Sequence, residues 1–400
     1  MGEMYVSLRE ICDEKRTVTD AETNKTSARP VYFESMPALI EGAFEFVCLF
    51  DKMHREGKIY GSNRSDLFLF DLETGQMKFE GQQFVIPEGQ ESEQEKATVI
   101  SEFLAPEILQ MGMDGRTYYS METDWYFLSV FLFEYFFHTG SPFEGKKMVN
   151  RCFLSPLEKE TFRAEEGVFC MDPIDDSNEP VKGIQDKLIQ YWGEYPEILQ
   201  KTFQKAFMDG GNLINLRPND LDWKNVLIKL SMNYIQCSCG FHGYSDKLIR
   251  QDDGTYICPK CKRTYYPLSN GMDTILLADG VKLYECQTGK DQFDKDTVTG
   301  IVIENKQHKG LYGIKNLSDG YWTGLFPGGK RKEISKGSAI PIWEDMQIAF
   351  EVGEDWSLKI MPGSRAVQTD DDTVIEDMTE TAVAEIAAEP PVSGKDENHE

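Results

Sequence analysis

The stretch KIYGSNRSDLFLFDLETGQMKFEGQ, Lys58–Gln82, holds two short apolar runs, LFLF and QMKF, joined by the turn-rich DLETG and preceded by the polar loop GSNRSD. Short apolar runs on either side of a Gly-containing turn predict a β-hairpin. Just upstream, SMPALIEGAFEFVCLFDKMHREG sets Leu39, Ala43, Phe46, Phe50 and Met53 at helical spacing, with Ser35 as a cap, Pro37 in the first turn and Gly57 as the stop. That pattern predicts an amphipathic helix. Helix, polar loop and hairpin therefore follow one another directly.

Further along, an acidic loop, EGQESEQEK, leads to LAPEIL. TDWYFLSVFLFEYFFHTG is apolar on every side, as expected of a helix at the centre of a helical domain. Its richest run stops short of the roughly 18 to 20 apolar residues a membrane span needs and carries Ser129 and Glu134. YPEILQKTFQKAF repeats the helical period, and the chain reads as mostly helical through about Met232. Past Cys261 the texture changes to TILLA, VKLYEC, TGIVIE, YGIKNL, AIPIW and QIAFEV, separated by Gly, Asp and Asn turns. These predict a small β-sandwich.

At 400 residues and 40% hydrophobic content the chain exceeds one compact core, so two or three domains are expected. A net charge of −26 argues against nucleic acid and anionic membranes as partners, since both call for a basic face. From Ser364 to Glu400 there are 11 acids against 2 bases and almost no aromatic residues, the composition of a disordered tail. MGEMYVSLRE has neither a basic start nor an apolar export segment, which makes a cytoplasmic protein the simplest expectation. Nine cysteines are too sparse for a disulfide framework, and four of them fall between Cys237 and Cys261.

A helix ending His-x-x-Gly, a loop, a hairpin, an Ala-Pro-Glu anchor and a buried helix opening with Asp occur in that order in the C-terminal lobe of protein kinases. The chain resembles that lobe over roughly residues 4 to 230, through HREG (His54–Gly57), APE (Ala105–Glu107), TDWYFLSV with Asp124, GSPFEGK (Gly140–Lys146) and LRPND with Arg217. MDPIDDSNEPVKGI, a Tyr-Pro helix, LRPNDLDW, a cysteine ribbon and a strand-rich end are similar to one bacterial subgroup. Members of that subgroup are encoded beside von Willebrand factor A proteins and metal-dependent protein phosphatases in tellurite-resistance-type stress systems. The resemblance implies partners of those kinds.

A kinase catalytic loop supplies an Asp that accepts the substrate hydroxyl proton and an Asn that holds magnesium. Laid over YGSNRSDL, the Asp falls on Ser62 and the Asn on Leu67. The metal-bridging Asp of Asp-Phe-Gly falls on Gly81, flanked by Glu80 and Gln82. Serine offers no carboxylate and leucine cannot ligate a hard cation. Asp66 and Glu80 are out of register as replacements, because one residue's shift on a strand reverses the face. The resemblance starts near MYVSLREIC, where the family's hinge meets the large lobe, so the N-terminal lobe with its Gly-rich loop and phosphate-pairing Lys is expected to be lacking. Structural landmarks persist: Glu107 and Arg217 are expected to form a buried ion pair, and Asp124 to cap the central helix and bond back to the loop near Tyr60. His54 reads as a packed core histidine rather than a base.

CSCGFHGYSDKLIRQDDGTYICPKC sets Cys237-x-Cys239 against Cys258-x-x-Cys261 with 18 residues between the inner pair. Four thiolates on such a hairpin suit structural Zn2+. The first knuckle has one spacer where a zinc ribbon usually has two, which makes His242 a substitute ligand to consider. The strand-rich end resembles a forkhead-associated domain, with Asn316 and Ser318 as matches, but the phosphate-binding signature is missing and ENKQHKG offers only Lys306, His308 and Lys309.

The expected architecture is multi-domain: a mainly α kinase-like C-lobe (1–232), a zinc ribbon (233–268), an all-β forkhead-associated-like sandwich (269–362) and an acidic tail (363–400). The expected function is a catalytically inactive kinase homologue, a pseudokinase, scaffolding or regulating a bacterial stress or signalling system without ATP or Mg2+. Two alternatives stand beside it. One is a serine/threonine kinase completed by a separately encoded N-lobe, and the other a phosphopeptide-binding module using the sandwich.

Overall fold

The computed structural model describes residues 5–19, 26–90, 99–112, 119–153, 155–209, 213–305, 310–325, 329–342, 346–351 and 355–358. Most of the acidic loop, the lysines and histidine at 306–309 and the acidic tail lie outside these residues. The chain divides into two compact units, 1–231 and 232–400, and each is taken by itself.

In the first unit, strand β1 (Tyr5–Ser7) runs into helix α1 (Leu8–Asp13), then the ribbon β2 (Lys15–Thr19) and β3 (Thr26–Pro30). Helix α2 spans Met36–Arg55. Ser35 Oγ accepts the Ala38 N–H, Pro37 sits in the first turn, and Lys52, His54 and Arg55 lie in the last turn, where the helix dipole favours positive charge. Gly57 then leaves the helix at a φ of +67°. Leu39, Ala43, Phe46, Phe50 and Met53 are all buried.

Strand β4 (Lys58–Tyr60) follows, then the hairpin β5 (Phe68–Asp71) and β6 (Met77–Phe79), and β7 (Val85–Pro87) pairs back on β4. The hairpin turn is set by Asp71, whose Oδ1 accepts the N–H groups of Glu73 and Thr74. Gly75 closes it at a φ of +78°, and a Cβ there would stand 2.1 Å from the Ala38 carbonyl on α2. Only glycine lets the turn lie against the helix.

Helix α3 (Pro106–Gly112) leads to α4 (Met121–Phe137), followed by α5 (Pro156–Glu166), α6 (Asp186–Trp192), α7 (Glu197–Gln204) and α8 (Asp220–Met232). Every residue of α4 from Tyr126 to Phe137 is buried, which accounts for its having no polar stripe. The Phe46 ring stacks on Phe131 with centroids 4.0 Å apart, and Phe50 and Phe68 join the same aromatic cluster. Burying each such ring contributes about 1.5–3 kcal/mol. The cluster is what fixes the hairpin against α2 and α4.

The second unit is built from antiparallel pairs. Strands β8 (Tyr234–Gln236) and β9 (His242–Tyr244) form one ribbon, and β10 (Ile249–Arg250) and β11 (Tyr256–Ile257) another. Strand β12 (Thr264–Ser269) and β13 (Thr274–Leu277) follow, then β14 (Lys282–Tyr284), β15 (Val298–Glu304), β16 (Tyr312–Asn316), β17 (Trp322–Leu325), β18 (Arg331–Ile334), β19 (Ala339–Pro341), β20 (Gln347–Ala349) and β21 (Asp355–Leu358). One sheet runs β10-β11-β12-β21-β20-β17-β18 with β13 also on β12, and the other runs β14-β15-β16-β19. Leu268, Leu277, Trp322 and Ile348 from the first sheet meet Leu283, Val302, Ile314 and Ile340 from the second in one core. Two antiparallel sheets sharing a core make a sandwich.

Strand β12 belongs to both halves of this unit. Tyr265 pairs with Tyr256 on the cysteine-bearing hairpin, while Leu268 and Ser269 pair with Leu358 and Ser357. The boundary between residues 268 and 269 therefore falls inside a strand.

Candidate functional site

The first half of the polar loop after β4, Gly61 to Asn63, is buried, and its side chains hold backbone. Asn63 Nδ2 donates to the Val99 carbonyl at 2.5 Å and its Oδ1 accepts the Val99 N–H at 2.8 Å, so one amide clamps the segment leading to Ala105-Pro106-Glu107. Ser62 is buried and its Oγ accepts the Arg64 N–H. Arg64 forks onto Asp66 at 2.6 and 3.1 Å, and Lys78 pairs with Glu80 at 2.6 Å. The two carboxylates are thus engaged by neighbouring cations, on side chains 59% and 47% exposed.

Leu67, Phe79 and Gly81 meet under this loop. A Cβ on Gly81 would lie 2.5 Å from Phe79 Cε2 and 3.2 Å from Leu67 Cδ1. Phe79 is itself fixed, stacked on Phe68 at 4.9 Å and edge-on to Tyr60 at 5.8 Å. Apolar carbon occupies the place between Leu67 and Gly81.

Behind the loop lies a set of buried charges. His54, at the end of α2, donates from one ring nitrogen to Asp220 Oδ2 at 2.6 Å and from the other to Asp124 Oδ2 at 3.0 Å. Asp124 Oδ2 also accepts the Tyr60 N–H at 2.7 Å, which ties the start of the loop to α4. Burial opposes a charged imidazole, but the hydrogen bonds and charges of Asp124 and Asp220 outweigh it and hold His54 up at about 9. Burial likewise raises Asp124, to about 6, against the pull of His54. At neutral pH the imidazole carries both protons.

Asp124 does not cap α4. The helix begins at Ser120, whose N–H donates to Thr123 Oγ1 at 3.0 Å, and Asp124 sits inside the first turn facing the loop. Aspartate is a good cap former, but the Ser-x-x-Thr pair one turn earlier takes that role and frees Asp124 for the loop.

Arg217 grips Glu107 through two hydrogen bonds, of 2.7 and 2.9 Å, and donates a third to the Glu122 carbonyl at 2.9 Å. Its guanidinium also lies over the Tyr126 ring, 5.0 Å from the centroid. Five further buried charges are not singled out by the sequence: Asp220, the pair Lys224–Asp51 at 2.8 Å, and Arg163 held by Glu160 at 2.5 Å. Only the Glu160–Arg163 spacing of three on a helix signals a pair in advance.

In the second unit the four cysteines converge. Cys237 and Cys239 lie in the turn between β8 and β9, which Gly240 closes at a φ of +78°, with the Gly240 N–H donating to the Cys237 carbonyl. Cys258 and Cys261 lie in the turn between β11 and β12, closed by the Lys262 N–H on the Cys258 carbonyl. All four Sγ atoms lie within 4.8 Å of one another, with Cys237 and Cys261 at 3.6 Å and Cys239 and Cys258 at 3.7 Å. An ion holding four thiolates tetrahedrally at about 2.3 Å sets its sulfurs about 3.8 Å apart. Spacing and donor set both fit a closed four-coordinate metal site. His242 is exposed on β9 and outside the cluster.

Burial raises these thiols, yet the Cys239 N–H, the Tyr265 hydroxyl and the adjacent thiols hold Cys237 down to about 6. Cys258 is lowered too, by the N–H groups of Cys261 and Lys260 against its burial. Cys239 is pushed up to about 12 by burial and its thiol neighbours. Such a cluster gives up protons readily to a bound cation.

On the sandwich, Asn316 is fully buried. Its Nδ2 donates to the Gly320 and Ile334 carbonyls at 2.9 Å, and its Oδ1 accepts from Ser318. Both groups of the amide are used in shaping the turn. Lys306, His308 and Lys309 lie outside the described residues.

No protein-family model matches the chain, and no curated protein matches it. Among the described residues no helix is long and apolar enough to cross a membrane.

Proposed function

We propose that the first unit is a kinase-like lobe that has given up phosphoryl transfer, and that the chain serves as an interaction scaffold or regulator in a bacterial stress or signalling system. The observation that carries this reading is the contact of Leu67, Phe79 and Gly81. Where a kinase sets the Asn and Asp that hold its magnesium ions, this chain has leucine and a glycine with no room for a Cβ. Hard cations require oxygen ligands, and Asp66 and Glu80, the nearest carboxylates, are paired with Arg64 and Lys78. The Asp124–Tyr60 and Glu107–Arg217 contacts support the likeness to the lobe itself, because they tie the loop and the Ala-Pro-Glu segment to later helices as that family's fold does.

The four-cysteine site is proposed to hold structural zinc, bound by Cys237, Cys239, Cys258 and Cys261. The ion would supply cross-linking of two turns and no open position for chemistry. Proteins with von Willebrand factor A domains and metal-dependent phosphatases are the proposed partners, on the resemblance alone.

Calorimetry of magnesium-ATP with the full chain tests the reading. No saturable heat is expected. Stoichiometric binding that is lost on changing Asp66 or Glu80 to alanine would overturn it.

A further inference from the structure

Burial divides the four cysteines of the second unit. Cys237 and Cys258 are 3% and 0% exposed and Cys239 is half-buried, but Cys261 is exposed. Lys260 and Lys262 stand exposed on either side of it. Residues 254–272 carry three cations, Lys260, Lys262 and Arg263, and no acid, in a chain whose net charge is −26. Exposure and a basic surround are the conditions under which a thiolate meets an oxidant. Leaving one sulfur in solvent while covering the others gives the cluster a preferred point of attack.

The partner sulfur is set as well. Cys261 Sγ lies 3.6 Å from Cys237 Sγ, and Cys239 Sγ lies 3.7 Å from Cys258 Sγ. Both close pairs run from the turn between β8 and β9 to the turn between β11 and β12, so a bond within either pair ties the two turns together. A disulfide needs its sulfurs about 2 Å apart, which is a short approach for side chains already in contact. Arg263, two residues past Cys261, reaches across to Ser238 Oγ at 3.5 Å. The turns therefore share a second contact that does not depend on the sulfurs.

We propose that Cys261 is a peroxide-oxidation site, and that a Cys237–Cys261 disulfide takes over from the metal in joining the two turns. The inference rests on the zinc reading of these cysteines. The Cys261 thiolate takes one oxygen of hydrogen peroxide to become a sulfenic acid, the O–O bond breaks, and the departing hydroxide leaves as water with a proton from solvent. The Cys237 thiolate then attacks that sulfur, the S–O bond breaks, and a second hydroxide leaves in the same way. Two electrons pass from the two thiolates to one peroxide. With two of the four donors bonded to each other, a tetrahedral ion is no longer held and returns to solvent. Loss of metal to a chelator frees the turns, whereas loss to peroxide leaves them joined, and a dithiol reductant reverses the step.

Hydrogen peroxide added in excess to the zinc-loaded full chain tests the proposal, with released zinc followed by an absorbing indicator and disulfides mapped by mass spectrometry. Release of the bound zinc is expected together with a Cys237–Cys261 disulfide, and the near-ultraviolet signal of the paired Tyr256 and Tyr265 should survive. Dithiothreitol followed by zinc should restore the metal content. Cys261→His keeps a four-donor set without the exposed sulfur and should slow release roughly tenfold; disulfide mapping of the wild-type chain decides if that variant takes up no metal. Zinc retained while the exposed Cys152 outside the site is oxidised, a disulfide between other cysteines, or loss of the tyrosine signal to the extent a chelator causes would each overturn the assignment. A purified chain holding no metal would instead remove the zinc reading, and this inference with it.

Discussion

Arg217 and Glu107, 110 positions apart in the chain, are joined by a two-pronged contact in which the arginine is almost wholly buried and the carboxylate nearly so. Removing one partner strands the other charge in a poorly solvating site. Arg217→Ala or Glu107→Ala should therefore cost about 3–5 kcal/mol, read as a lowered urea midpoint. Arg217→Lys should recover little of it, because an ammonium cannot reproduce the planar fork. A loss under 1 kcal/mol in both alanine variants would mean that the pair does not hold α3 to the later helices.

The His54 bridge makes stability depend on pH. Its folded pKa of about 9 lies above the ordinary histidine value of 6.5, so the native state holds a proton that the unfolded chain releases. The resulting stabilisation is complete below about pH 6.5 and fades as pH rises towards 9, amounting to a few kcal/mol at most. The difference in unfolding free energy between the wild-type protein and His54→Gln should shrink across that window. A difference that stays flat from pH 6 to 9 would show that the imidazole is not charged in the fold.

Raising Asp124 to about 6 acts in the acid range. The folded state there binds a proton more tightly than the unfolded one, so this group's contribution to stability falls as pH rises from about 4 to 6. Asp124→Asn should remove that slope while costing the charge bond to His54. Chemical denaturation at pH 4, 5 and 6 separates the two effects.

Gly81→Asp puts a carboxylate where the proposed likeness to a kinase would place one, yet its Cβ meets the Phe79 ring and Leu67. Overpacking of this kind costs about 1–3 kcal/mol. The variant should be less stable and still bind no magnesium-ATP by calorimetry. Phe79→Ala is destabilising in itself, but Gly81→Asp should cost less in that background than in the wild-type protein, and an equal cost in both would show that the Phe79 ring is not the source.

Metal removal should act on the second unit alone. One zinc per chain is expected by elemental analysis, and a chelator at neutral pH should abolish the near-ultraviolet signal of Tyr256 and Tyr265 while leaving the helical far-ultraviolet signal of the first unit. Cys258→Ser should have the same effect without chelator. Full retention of metal by that variant would rule out the four-thiolate site.

Much of this architecture is legible in the sequence because its cues are local. Ser35, Pro37 and the apolar face of α2, the unbroken apolar run of α4, and the turn at Asp71–Gly75 each declare themselves within a few residues. Buried charges do not. Asp220 reads as one more acid at a helix start, and nothing near it points to His54, 166 positions earlier. Asp51 and Lys224 look like surface residues until the fold brings them together. Asp124 misleads for a different reason, since aspartate suits a cap and only the position of Ser120 and Thr123 shows that the cap is already made. In the second unit β12, TYYPLS, carries no clean alternation and is not among the runs that read as strands, and nothing in it tells which neighbours it will serve.

That shared strand limits how this protein can be taken apart. A graft that carries the cysteine turns elsewhere with the whole of β12 would leave Leu358 and Ser357 facing an empty edge, and one that carries the sandwich without its cysteine-bearing neighbour would leave Tyr265 without Tyr256. Recombination, natural or engineered, has to move the two pieces as a single cassette.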